Sequence, residues 1–157
     1  MNAEFKFDFE AVKNMMETQF SDFNELGKDM GFEPVEATGE KVVIKIPFNP
    51  LLADHRGALH GGTITTLLDT ASGMCIFLKT QTLTPMATLD LRVEYLQPVT
   101  PGLGIIAEVS CYHTCDMLAN VRGLAYHESS KDPVVSFSGA FMMNTSGPDF
   151  FKFPGIG

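Results

Sequence analysis

From Gly61 to Leu78 the chain reads Gly61-Gly62-Thr63-Ile64-Thr65-Thr66-Leu67-Leu68-Asp69-Thr70-Ala71-Ser72-Gly73-Met74-Cys75-Ile76-Phe77-Leu78, and Asp69 is its one charge before Lys79. A helix that is apolar or small on nearly every side must be enclosed by other structure on most sides. At about 18 residues the run is short for a membrane span and suits a core helix. One such helix needs a sheet around it, and a strongly curved antiparallel sheet provides that.

The rest of the chain supplies the strands. Val42-Val43-Ile44-Lys45-Ile46 is rich in strand formers and follows a turn at Thr38-Gly39-Glu40-Lys41, so residues 32–48 read as two strands. A loop bracketed by Pro47 and Pro50 then runs to about Leu59. After Pro85, Leu89, Leu91, Val93 and Tyr95 alternate with Asp90, Arg92 and Glu94. Strands are also expected over 103–115, 117–128 and 134–143, giving four in a meander after the long helix. Phe9, Val12, Met15, Met16, Phe20, Phe23 and Leu26 recur at helical spacing, which predicts an amphipathic helix over about 8–27. The 157 residues fit one α+β domain: this first helix, a core over about 32–144 and an irregular tail, 145–157, carrying Phe150, Phe151 and Phe153.

Composition narrows the partners. A net charge of -8 argues against nucleic acid, whose phosphates need clustered Lys and Arg. The opening MNAEFKFDFE carries acids and no long apolar run, so neither a signal peptide nor a membrane anchor is expected, and the expected location is the cytoplasm. Three cysteines, Cys75, Cys111 and Cys115, do not suggest a disulfide framework. Cys111 and Cys115 would lie about 13 Å apart along one strand face, with His113 pointing the same way. No second ligand pair follows, so free core thiols are expected rather than a metal cluster. His113 and His127 read as surface or hydrogen-bonded strand residues. The methionines read as core filling, with Met74, Met142 and Met143 candidates for an acyl pocket.

Two features stand out chemically. Asp69 lies inside a helix expected to be buried, where an unpaired carboxylate costs several kcal/mol. It either serves a reaction or reaches solvent or a backbone donor at the helix edge. His60-Gly61-Gly62 lies where a loop enters that helix, and helix starts present unpaired N–H groups and a partial positive charge. A thioester oxygen gaining negative charge suits that place, though two glycines also serve a tight turn. His60 and Asp69 are nine residues apart, on the order of 12 Å along a helix. That is too far for both to act on one bond within one chain. It points to a site shared across the axis of a symmetric dimer.

Gly57-Ala58-Leu59-His60-Gly61-Gly62 followed by Leu67-Leu68-Asp69 resembles the signature of PaaI-like hotdog-fold acyl-CoA thioesterases. Ala87-Thr88-Leu89-Asp90-Leu91-Arg92-Val93-Glu94-Tyr95-Leu96-Gln97-Pro98 resembles the strand after the helix in that family, and the likeness covers roughly 32–143. The resemblance implies a long helix wrapped by a curved antiparallel sheet, in dimers often paired into tetramers. It implies hydrolysis of acyl-CoA without a metal or bound cofactor, CoA being part of the substrate. Asp69 matches the general base or nucleophile, and Gly61 the backbone N–H that polarises the thioester carbonyl. His60 matches the histidine that supports the loop, and Thr88 a hydroxyl residue that helps place water. Gly62 and the loop residues Asp54, His55 and Arg56 fall on the substrate-binding side.

Two positions depart from the pattern. Asp54 stands where relatives often carry Asn or Gln, and a carboxylate donates no hydrogen bond unless protonated. Either it turns away, or a proton is shared near Asp69, or activity is weak; His55 and Arg56 would then take over part of the polar role. Cys115-Asp116 stands where relatives often have Gly and a basic residue. Asp54 motivates a second reading, a non-catalytic acyl- or CoA-binding protein. A hydratase or dehydratase of enoyl-CoA is a third, against which the Leu59-His60-Gly61-Gly62 loop argues.

Overall fold

The computed structural model describes residues 6–19 and 29–147. Helix α1, Phe9–Asn14, opens at Asp8, whose Oδ1 accepts from Ala11 N at 3.1 Å, and continues as a π-helical turn, Met15–Gln19. The remainder of the helix expected over 8–27, and Phe150, Phe151 and Phe153, lie outside the described residues. Strands β1 (Glu33–Ala37) and β2 (Val42–Ile46) form a hairpin closed by Thr38 N donating to Lys41 O at 2.8 Å. A 3-10 turn at Pro50–Leu52 leads to helix α2, Gly61–Thr80. Gln81 ends α2 in the left-handed region at φ 53°. Its side chain holds the N-terminal segment, accepting from Phe7 N at 2.9 Å and donating to Phe7 O at 2.8 Å.

Strands β3 (Met86–Tyr95), β4 (Ile105–Thr114), β5 (Leu118–His127) and β6 (Pro133–Met143) complete a six-stranded antiparallel sheet. Its order is β1-β2-β4-β5-β6-β3. Only β4, β5 and β6 form the expected meander. β3 instead pairs with β6 at the far edge, because β4 takes β2 as its other neighbour. Alternate residues Ile105, Ala107, Val109 and Cys111 of β4 and Val121 and Ala125 of β5 are buried in one core with Ile64, Leu67, Leu68 and Ala71 of α2. Leu67 and Leu68 are fully buried, and truncating either to Ala costs about 2–5 kcal/mol.

α2 is buried on most sides, as expected, and Gly62, Thr65, Thr66, Asp69, Thr70 and Gly73, at helical spacing, form a stripe that escapes full burial. Two expectations change. Cys115 is no core thiol, since β4 stops at Thr114 and Cys115 is exposed. Cys75 and Cys111 are buried, and loss of water pushes the Cys75 thiol up to about 12. His113 does not follow Cys111, because a bulge between them moves His113 opposite Asn120 and into solvent. Among the described residues, no helix is long and apolar enough to cross a membrane.

Candidate active site

The start of α2 is built by His60. Its extended backbone makes it the N-cap, and its Nδ1 accepts from Gly62 N at 2.9 Å. That bond requires an unprotonated Nδ1, which leaves the neutral ring's proton on Nε2. His60 O accepts from Ile64 N at 3.2 Å. The Gly62 N–H is thereby used, whereas Gly61 N–H has no acceptor among the described residues. Of the two glycines, Gly61 carries the amide free for a ligand oxygen. The Gly61 carbonyl accepts from Thr65 Oγ1 at 2.9 Å and from Tyr95 Oη at 3.3 Å.

Two turns further along α2, Asp69 is partly buried rather than enclosed. Its Oδ1 accepts from Thr88 Oγ1 at 2.7 Å. Strict alternation along β3 would put Thr88 on the face of Asp90, Arg92 and Glu94. A bulge between Thr88 and Asp90 instead sets Thr88 opposite the buried Phe141, on the face that looks at α2. Leu89 is the extra residue and is exposed. The structure thus brings Asp69 and Thr88 together, and His60, Gly61 and Gly62 together. The two groups stay apart, since eight residues of α-helix separate Gly61 from Asp69 by about 12 Å.

The loop before the helix resolves the place of Asp54. Its Oδ1 accepts from Arg56 N at 2.8 Å and Ala58 N at 3.3 Å, closing a tight turn. Its Oδ2 accepts from Arg56 Nη2 at 2.6 Å and Nε at 2.9 Å. The Arg56 guanidinium holds the Asp54 carboxyl down at about 2, so it is ionised at neutral pH. Asp54 therefore organises the turn and Arg56. His55 is exposed. Arg56, Leu59, Gly61, Tyr95, Gln97 and Val99 line an open groove of about 570 Å³. Asp69 and Thr88 lie outside it.

The family model of the thioesterase superfamily matches residues 56–134, half of the chain. The chain belongs to the thioesterase superfamily. A provisionally named esterase of Halobacterium salinarum is 34% identical over 86 residues, a match that spans 52% of this chain and 56% of that protein. The chain thus matches little more than half the length of this curated relative. A Pseudomonas aeruginosa protein of solved structure is 27% identical, with TM-score 0.68 over 81% of this chain and 96% of that one. Zebrafish thioesterase superfamily member 2 superposes with TM-score 0.77 at 19% identity, covering 88% of this chain and 99% of that one. The Escherichia coli PaaI protein from the phenylacetic acid degradation operon gives TM-score 0.71 at 15% identity, over 88% and 96%. The last two likenesses establish the hotdog fold.

The segment matched to the superfamily contains Gly61, Asp69, Thr88 and Tyr95. Of these, sequence reasoning gave Tyr95 no place in the site. It took Tyr95 for one more apolar position of a strand; its signal was a polar-tipped ring at the strand's end. The remaining candidates stand apart. His127 is buried, its Nδ1 3.0 Å from Gly104 O and its Nε2 accepting from Thr100 N at 3.1 Å, so it fastens the 99–104 loop to β5. Met74 and Met143 are core residues, and Met142 is exposed. Among the described residues, no group of three or more His, Cys, Asp or Glu could hold a metal ion.

Proposed function

We propose that this chain hydrolyses acyl-CoA thioesters to a free acid and CoA in a homodimer. Each site would combine the α2 start of one subunit with the Asp69–Thr88 pair of the other. The observation that carries this reading is the free Gly61 amide and the Thr88-oriented carboxylate, held about 12 Å apart on one rigid helix. Neither half is complete alone, and a two-fold axis supplies to each the half it lacks. The unburied stripe of α2 and the outer edge of β3, unpaired among the described residues, support a partner at this face.

The chemistry follows from the atoms. Thr88 occupies Asp69 Oδ1 and leaves Oδ2 for a substrate water. Oδ2 takes a proton as the water oxygen bonds to the thioester carbon. The carbonyl oxygen becomes an oxyanion at Gly61 N–H, where the helix start favours negative charge. The tetrahedral species collapses by breaking the C–S bond; the thiolate of CoA leaves and takes the proton from Asp69. As written, the reaction draws on side chains, a backbone amide and water, and needs no resident cofactor. Arg56, tethered through Nε and Nη2, keeps Nη1 for an anionic part of the substrate beside the groove.

The test is free-thiol release from short, long and aromatic acyl-CoAs, with Asp69→Asn as control. Asn still accepts from Thr88 but takes no proton, so kcat is expected to fall roughly a thousandfold while the dimer persists. Unchanged turnover in that variant would sink the mechanism. Binding without release across the panel would favour an acyl- or CoA-binding protein. Hydration of an enoyl-CoA without release would favour a hydratase.

A further inference from the structure

We infer that Tyr95 is a positioning residue for the oxyanion donor: its hydroxyl fixes the carbonyl of Gly61, the residue whose N–H is that donor, and crowds any side chain placed there. The inference rests on the thioesterase reading above and deepens it.

The Gly61–Gly62 peptide is held at both ends. His60 Nδ1 takes its N–H, while Thr65 Oγ1 and Tyr95 Oη donate to its carbonyl. Thr65 and His60 belong to the first turn of α2 and move with it. Tyr95 does not: it lies at the end of β3, opposite Val135 of β6, so it references the helix start to the sheet. The same strand carries Thr88 to Asp69, so β3 positions one residue of each half-site. A Cβ on residue 61 would stand 2.9 Å from Tyr95 Oη and 3.7 Å from Cζ. The first is closer than carbon and oxygen tolerate; the second is ordinary van der Waals contact. The hydroxyl is thus the atom that a side chain at 61 would have to displace. Partial burial raises the Tyr95 phenol above its usual range, so it remains a donor through mildly alkaline pH.

The hydroxyl can be removed without the ring, which allows a double-mutant cycle on Gly61→Ala and Tyr95→Phe, read by kcat, KM and melting temperature. Tyr95→Phe is expected to lower kcat about tenfold with KM nearly unchanged, since a loosened Gly61 misplaces its N–H at the oxyanion and not the rest of the substrate. Gly61→Ala should lose about a hundredfold or more and melt earlier. With Tyr95→Phe added, the Ala variant should recover part of both losses, because the Cβ then meets only the ring. Equal losses from Gly61→Ala in the two backgrounds, or a Tyr95→Phe effect confined to KM, would overturn the inference. A wild-type protein that releases no thiol would instead bring down the thioesterase reading, whatever the melting temperatures show.

Discussion

The two edges of the sheet are alike in outline and opposite in chemistry. β1 and β3 are the outermost strands, each carries a bulge, and each bulge exposes one apolar side chain to the same degree, Val35 at 52% and Leu89 at 53%. The β1 edge is short and laced with charge. Lys41 binds Glu36 at 3.1 Å and Glu108 at 3.4 Å, and Lys45 binds Glu33 at 3.5 Å and Glu128 at 2.6 Å. Short charged edges discourage pairing with another chain. The β3 edge is twice as long and exposes Leu89, Tyr95 and, just beyond, Leu96. A long edge with exposed apolar side chains invites a partner. This edge also carries Thr88 and Tyr95, the residues that touch Asp69 and Gly61.

The comparison breaks most directly if the two bulges are given the same charge. Leu89→Asp is expected to dissociate the proposed dimer and remove most of the proposed thiol release, whereas Val35→Asp should leave both intact. Sedimentation velocity alongside turnover separates the cases, and equal effects from the two variants would deny the edges different roles. A smaller effect sharpens the β3 side. Thr88→Ala frees Asp69 to rotate and should lower kcat about tenfold at unchanged KM, with Thr88→Ser restoring most of it. At the β1 edge, Lys41→Ala should hardly move the melting temperature, because exposed ion pairs contribute little.

A pH experiment tests the loop between these regions. Asp54 has its carboxyl lowered from the usual 3.8 to about 2 by the Arg56 guanidinium. A lowered value means that the folded state favours the ionised form, so the stability it contributes is present above about pH 4. It is lost as pH falls through 4 toward 2. The melting temperature of Asp54→Asn should therefore lie below wild type at neutral pH, and the gap should close over that window. A gap independent of pH would mean that the turn needs only an acceptor and not a charge.

Much of the fold was legible because it rests on local pattern. The run from Gly61 to Leu78 could only be a core helix, and Leu91, Val93 and Tyr95 could only alternate on a strand. The neighbour of β3 was not legible, since pairing with β6 joins residues far apart in the chain and no local signal specifies it. Asp69 and the glycines were visible as anomalies: a charge inside an apolar helix, and two flexible residues at its start. Which glycine N–H stays free depended on the His60 ring, and the fate of Asp54 on an arginine two residues away. Both are matters of side-chain direction rather than spacing.

The bulge at Leu89 gives β3 two phases. Before it, even-numbered residues face the helix; beyond it, odd-numbered residues do. A substitution scan along the strand should show this as a stutter, with intolerance falling on Met86 and Thr88 and then switching to Leu91, Val93 and Tyr95. Deleting Leu89 would leave every other residue of the strand chemically unchanged and merge the two phases into one, with Thr88 next to Asp90, opposite Phe141 and still facing the helix. The acid in the helix would keep its hydroxyl partner, whereas straightening the bulge with Leu89 retained would turn Thr88 outward and take that partner away through a change of parity alone.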